Sequence, residues 1–241
     1  MMKKLTIGIL VTDSVPDKLR IQYGDQADWY QRLFKRLDQD IELIFYNVYQ
    51  KKFPENINEC DGYLITGSRN SVYDDEEWIH KLSDYVKELA FINKPLVGVC
   101  FGHQMIAHVL GGKSEKSSKG WVVGMQKVIF DEPEEWDSEN ITSVSLLHSH
   151  KDQVTHLPIG AKLIAGNEKV PYAIYKIGDT IFSHQGHPEF SHEYVASVYD
   201  MRKEILGEQV YKEALNSIKG SQQDDLLLAK KWVEFYRQSQ G

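Results

Sequence analysis

Lys94-Pro95-Leu96-Val97-Gly98-Val99-Cys100-Phe101-Gly102-His103-Gln104 packs the end of a strand, a turn and the start of a helix into one short run. The apolar run at 94–97 has strand length, and Met105-Ile106-Ala107-His108-Val109-Leu110 continues as a helix stopped by Gly111-Gly112. A side chain held on such a turn projects above the carboxyl edge of a sheet, clear of the packed layers. The free amides of the helix N-terminus favour thiolate over thiol at Cys100, and the Phe101 N–H is placed to donate to an oxyanion. Gly98 and Gly102 are the small residues that a tight turn requires. A buried structural thiol is the plain alternative for Cys100, but the flanking glycines, strand and helix favour a nucleophile on an elbow.

On either side the pattern is α/β. Residues 5–11 form a continuous apolar run, as a strand buried on both faces does, ended by Asp13-Ser14-Val15-Pro16. Ala27, Tyr30, Leu33, Phe34 and Leu37 recur at helical spacing, and 41–49 reads as the next strand. Strand, helix, strand opens a parallel sheet with right-handed crossovers. The strand at 62–66 runs into the small, polar loop 67–71, at the same carboxyl edge as Cys100, where it can bring a second N–H to a substrate oxygen. Asp74 and Glu77 have the form of an N-cap pair for a helix whose apolar face is Trp78, Ile79, Leu82, Tyr85, Val86 and Leu89.

Beyond Gly112 the period changes to two. Strands are expected at 124–130, 143–148, 161–165, 172–177 and 180–183, the last two joined by a tight hairpin at Gly178-Asp179. Residues 131–140 read as an acidic surface loop. Helical spacing returns with Tyr194, Val195, Val198 and Met201 and again over 226–236, with Gly220-Ser221-Gln222-Gln223 reading as a linker. The expected organisation is one α/β unit over 1–190 and a helical extension over 191–241 packed on it.

A thiol nucleophile needs a base and a group that orients the base. His187 lies in His184-Gln185-Gly186-His187-Pro188-Glu189, just past the last strand, and Glu189 is close enough in sequence to accept its other ring N–H. His184 competes as base but lacks the following Pro-Glu. His103 and His108 suit packing or capping. His80 falls within a surface helix and His192 follows the candidate turn, and neither has a carboxylate at suitable spacing in a matching turn. His148, His150 and His156 are clustered, yet without a nearby cysteine they make a weak metal set.

The net charge of −7 lacks the basic face a nucleic-acid partner requires, and no apolar run reaches membrane-spanning length. Two cysteines, Cys60 and Cys100, make no disulfide framework, so a reduced, cytoplasmic protein is expected.

Gly98-Val99-Cys100-Phe101-Gly102-His103-Gln104 together with His187-Pro188-Glu189 resembles the class I, triad-type glutamine amidotransferases, including the amidotransferase domain of GMP synthetase. The likeness extends over about 1–190. It implies a three-layer, flavodoxin-like sandwich around a mostly parallel sheet, with Cys100, His187 and Glu189 hydrolysing a γ-glutamyl amide through a thioester. It further implies an oxyanion hole from Gly67, Ser68 and Phe101, substrate contacts from Gln104, Ser149 and His150, and no cofactor or metal. The oxyanion loop reads Gly67-Ser68-Arg69 where the family usually has Gly-Gly-Pro. Gly186 replaces a common aromatic residue, a change expected to widen the pocket.

No synthetase segment follows within these 241 residues. Three readings result: a glutaminase feeding ammonia to a separate synthetase subunit, a γ-glutamyl peptidase acting on glutathione-like compounds, and a non-catalytic binding or regulatory module.

Overall fold

A computed structural model describes residues 4–37, 39–131 and 141–239. In chain order the elements are β1 (Leu5–Val11), α1 (Asp17–Tyr23), α2 (Gln26–Lys35), β2 (Ile41–Asn47), β3 (Gly62–Ile65), α3 (Glu77–Phe91), β4 (Leu96–Val99) and α4 (Phe101–Val109). They continue as β5 (Lys113–Lys116), β6 (Val122–Phe130), β7 (Ser143–His150), β8 (Asp152–His156), β9 (Ala161–Gly166), β10 (Ile174–Ile177) and β11 (Ile181–His184). The C-terminal helices are α5 (His192–Met201), α6 (Lys203–Leu206), α7 (Glu208–Ile218) and α8 (Asp225–Gln238). The acidic loop read at 131–140 lies, from 132 onward, outside the described residues.

One large sheet runs β2-β1-β3-β4-β11-β10-β9-β6-β7, and β5 pairs with β8 in a small second sheet. The block β2-β1-β3-β4-β11 is parallel, and the strands beyond it are antiparallel. Alternation along the strands sorts the side chains into layers. Ile7, Ile9, Leu64 and Val97 face α2 and α8 in one core cluster, while Leu10, Tyr63, Ile65 and Leu96 face α3 and α4 in another. This is a three-layer α/β sandwich, in which the central strands are buried on both faces and carry continuous apolar runs.

Several local expectations need correction. Asp74 does not cap α3: the helix opens at Glu77 after Glu76, with no side-chain cap. The Asp74 carboxylate instead accepts from Ser71 N at 2.9 Å and Asn70 Nδ2 at 3.1 Å, closing the preceding loop, a local bond that competes with capping. Helix α1 has no apolar periodicity to announce it, since Leu19 is its one buried residue. The segment 220–223 is not a slack linker. Gln223 Nε2 donates to the carbonyls of His187 and Pro188 at 3.0 and 2.9 Å, and Asp224 exchanges hydrogen bonds with the backbone of Ser145.

The last helix belongs to the main core. Leu228, Ala229, Trp232, Val233 and Tyr236 are buried against the sheet. Tyr236 Oη donates to the Tyr63 carbonyl at 2.7 Å, and its ring lies where a side chain on Gly62 would otherwise stand.

Two features of this core set its stability. First, Cys100 sits at φ 50°, ψ −98°, a conformation that L-residues rarely adopt. Cys100→Gly should therefore be more stable than Cys100→Ala by about 1 kcal/mol, reversing the usual order; urea unfolding of the two variants checks this. Second, His103, His148, His150 and His184 are all buried. Burial, reinforced by their mutual repulsion, pushes His103 and His148 well below the ordinary imidazole range. Burial likewise brings His150 and His184 down to about 3.

Each of the four takes up a proton near pH 6.5 when unfolded but resists it when folded. Their contribution is complete above about pH 6.5 and is lost as pH falls toward about 3, by about 1.4 kcal/mol per pH unit for each histidine. The unfolding free energy should drop sharply as pH falls from about 6.5 to about 5. A flat profile over that range would contradict neutral burial.

Candidate active site

The ends of β1, β3, β4 and β11 meet at one carboxyl edge because these strands are parallel neighbours. Val99 pairs with His184, and Cys100 N donates to the His184 carbonyl at 3.0 Å, so the turn after β4 is stitched to the end of β11. A Cβ on Gly98 would stand 2.7 Å from the Gly102 backbone, and one on Gly102 would stand 2.4 Å from the Ile65 carbonyl. Only glycine lets β4, α4 and β3 approach this closely. The carbonyl of Cys100 accepts from Gln104 N at 3.0 Å, so the cysteine is the first link of α4. Of the amides in the first turn of α4, that of Gly102 donates to the Thr66 carbonyl at 3.2 Å, tying the helix start to the end of β3.

His187 is held by its backbone: its N–H donates to the Leu147 carbonyl on β7 at 2.8 Å, and its own carbonyl accepts from Gln223. Its Nδ1–H donates to Glu189 Oε1 at 2.7 Å, with both side chains almost fully buried. Phe190 stacks on the imidazole, ring centres 3.9 Å apart and planes within 6°. Burial alone would lower the histidine's pKa. The Glu189 charge and the adjacent Cys100 sulfur overcome it and push the imidazole up to about 10. At neutral pH His187 is therefore an imidazolium between a carboxylate and a sulfur.

The loop after β3 presses on this pair. A Cβ on Gly67 would lie 2.8 Å from His187 Cε1 and 3.6 Å from Cys100 Cβ, so a side chain there would displace the imidazole. The Gly67 carbonyl accepts from Thr12 Oγ1 at 2.9 Å and Gln26 Nε2 at 3.0 Å. Because a trans peptide sets C=O and N–H on opposite sides, the Ser68 N–H of that same unit points away from Thr12 and Gln26. Arg69 replaces a proline as the stiffener: its Nε and Nη2 fork onto the two oxygens of Asp13 at 2.7 Å each, and its N–H donates to the same carboxylate.

These groups open into a cavity of about 210 Å³ that includes Cys100, Gly67, Ser68, His187 and Glu189 in its wall. Ser149 lies in the wall too, its Oγ accepting from Arg202 Nη1 at 2.7 Å. Phe101 lies just behind the wall, beneath Cys100 at the head of α4. Gln104 and His150 do not reach the cavity. Gln104 is buried and its Nε2 donates to the Asp152 carbonyl and to Gln185 Oε1. His150 Nδ1–H donates to the Asp152 carbonyl at 3.0 Å, leaving its Nε2 to accept from His148 Nδ1 at 3.1 Å.

Gly186 does not widen the cavity: a Cβ there would meet Leu146 at 2.6 Å and His148 at 2.8 Å, so the glycine serves close packing on β7. Trp29, Phe190, Tyr194, Val198 and Arg202 complete the wall without having been read as site residues. Tyr194 and Val198 read as one apolar helix face, and only the spatial meeting of α2 and α5 places them in the wall. Among the described residues no group of three or more His, Cys, Asp or Glu is arranged to hold a metal ion. Nor is any helix among them long and apolar enough to cross a membrane.

Comparison with known proteins agrees with this architecture. The family model described as glutamine amidotransferase class-I matches residues 27–199. γ-Glutamyl peptidase 3 of Arabidopsis thaliana is 29% identical over 98% of this chain and 97% of its own length. A glutamine-hydrolysing GMP synthase of Porphyromonas gingivalis is 33% identical over 71% of this chain, but the match spans only 33% of that longer protein. A crystal structure of a glutamine amidotransferase from Thermotoga maritima superposes over the full length of both chains with a TM-score of 0.74 at 16% identity, a likeness of fold. The chain belongs to the class I glutamine amidotransferase family.

Proposed function

We propose that this protein hydrolyses γ-glutamyl amide bonds through a thioester on Cys100. The observation that carries the reading is the buried imidazole of His187, hydrogen-bonded to Glu189 at 2.7 Å beside the Cys100 sulfur that a strained strand-to-helix turn presents. The sulfur attacks the γ-carbonyl carbon, forming the C–S bond. Negative charge moves to the oxygen, within reach of the N–H groups of Phe101 and Ser68, while Gly67 keeps the loop close. Donors of this kind contribute on the order of 3 kcal/mol each in acyl transfer.

Collapse of the tetrahedral centre breaks the C–N bond, and His187 gives its proton to the departing nitrogen. Acylation has by then removed the sulfur's negative charge, one of the causes that hold the histidine's pKa up. The proton is thus released most readily when the leaving group needs it. The now neutral imidazole takes a proton from water, which forms the new C–O bond as C–S breaks. Glutamate leaves, and the thiolate–imidazolium pair is restored. Glu189 fixes the tautomer through Nδ1 throughout.

A γ-glutamyl peptide is favoured over glutamine as the substrate. The likeness to γ-glutamyl peptidase 3 is end to end, and the cavity wall draws on helix α5, past the residues of the catalytic motifs. With glutamine the same chemistry would release ammonia, to be used by a separate synthetase subunit. In either case Cys100→Ala should lose glutamate release by at least about a thousandfold without loss of fold. A glutamine-shaped diazoketone should label Cys100 once and spare Cys60, which is buried away from the cavity. Equal turnover by the variant, or a label only on Cys60, would leave a binding module on this fold. Glutamine, a γ-glutamyl anilide and glutathione compared side by side rank the leaving groups.

The charge relation between Glu189 and His187 gives a second test. Leaving-group protonation needs the imidazolium, so kcat/KM should decline as pH rises through about 10. Glu189→Gln removes the largest influence that raises the histidine. It should move that alkaline limb down by at least about one pH unit and lower kcat. An alkaline limb unmoved by the substitution would mean that Glu189 does not set the histidine's charge.

A further inference from the structure

Two arginines stand in the cavity wall, and they differ in one respect. Arg69 is neutralised by its fork onto Asp13. Arg202, at the C-terminal end of α5, has no carboxylate partner among the described residues; its guanidinium donates to Ser149 Oγ at 2.7 Å. Its guanidinium lies over the Trp121 ring, 5.2 Å from the centroid, an aromatic shelf that holds the plane in place. The other acids of the wall are committed, Asp13 to Arg69 and Glu189 to His187. A half-buried cation is thus left facing the cavity without a counter-charge, which costs free energy unless a ligand supplies one. Consistent with that cost, burial pushes the pKa of Arg202 below its usual value. Arg202 also lies past residue 199, where the family match ends, so no family motif accounts for it.

We infer that Arg202, oriented by Ser149 and Trp121, is the carboxylate-binding residue of the cavity and takes a free carboxylate of a γ-glutamyl peptide. The inference deepens the proposed function and rests on it for the identity of the ligand. A planar guanidinium matches a carboxylate in two parallel N–H···O bonds, and the shelf leaves its edge open for them. Two carboxylates are available in such a peptide: the α-carboxylate of the glutamyl part and the C-terminal carboxylate of the leaving part. Both offer the same chemistry to Arg202.

Binding can be measured apart from catalysis. In a Cys100→Ala background, calorimetric titration with γ-glutamyl-cysteinyl-glycine should give a Kd that rises about 10- to 100-fold on adding Arg202→Gln, with partial recovery for Arg202→Lys. The glycyl ethyl ester of the same peptide separates the two sources. If the ester binds like the free acid and is equally weakened by Arg202→Gln, the α-carboxylate is the ligand. If the ester binds as weakly to intact Arg202 as the acid does to Arg202→Gln, it is the C-terminal one.

In the otherwise wild-type enzyme, Arg202→Gln should raise KM much more than it lowers kcat. No binding of either peptide, or a Kd indifferent to Arg202, overturns the inference. Arg202-dependent binding without any hydrolysis by the wild-type enzyme would instead overturn the catalytic reading and leave the carboxylate site standing.

Discussion

The pairing of β4 with β11 is the constraint on which the site depends. Gly98 lies beside Ser183 and Val99 beside His184, and the hydrogen bond from Cys100 N to the His184 carbonyl fixes where the two chains part company. From that point one chain enters α4 and the other turns through Pro188. A slip of one residue would invert every side chain on a strand that is buried on both faces. Such a slip is blocked by Ile181 on one side of β11 and Phe182 on the other, each packed into a different core cluster. The distance between a sulfur and an imidazole far apart in sequence is therefore set by sheet register, and the glycines at 67, 98 and 102 allow the three loops to close on it.

Five buried histidines surround this edge, yet burial has opposite outcomes among them. His103, His148, His150 and His184 meet hydroxyls, carbonyls or one another, none of which offsets the cost of a buried positive charge. They stay neutral and serve as hydrogen-bonding core. His187 meets a carboxylate at 2.7 Å and a sulfur, and it charges. One ionised neighbour decides the matter, and the neutral histidines nearby let that charge remain the single cation of the buried group. The same low dielectric that would penalise an unpaired imidazolium strengthens a paired one.

Much of this could be read in the chain because its signals are local. The apolar run, the two glycines and the helix pattern around Cys100 each constrain neighbouring residues, and His187-Pro188-Glu189 places donor and acceptor two positions apart. What failed was whatever needed a partner from elsewhere. Asp74 has the right spacing for a cap but finds closer amides in the loop before the helix. Gly186 looked like an opening because it replaces an aromatic residue common in the family, next to His187. Successive residues of an extended segment face opposite ways, so the glycine faces Leu146 instead. Gln104 follows the cysteine by one helical turn, and its amide is taken by Asp152 and Gln185 from two other segments. Arg202 gives no sequence signal, since an arginine at the end of an amphipathic helix is ordinary favourable placement.

The residues after 190 join the two halves of this account. On one side of the edge, Gln223 holds the carbonyls of His187 and Pro188, while Trp232 stacks on His184 with planes within 15°. On the other, Tyr194, Val198 and Arg202 form the part of the cavity wall farthest from the motifs in sequence. The tail helices thus both brace the turn after β11 from behind and shape the space in front of it. On the proposed function, a chain with the same Cys100, His187 and Glu189 arrangement and a different tail would keep its bond-breaking chemistry, but its leaving-group preference would change. Selectivity here can therefore vary without disturbing the register that brings sulfur and imidazole together.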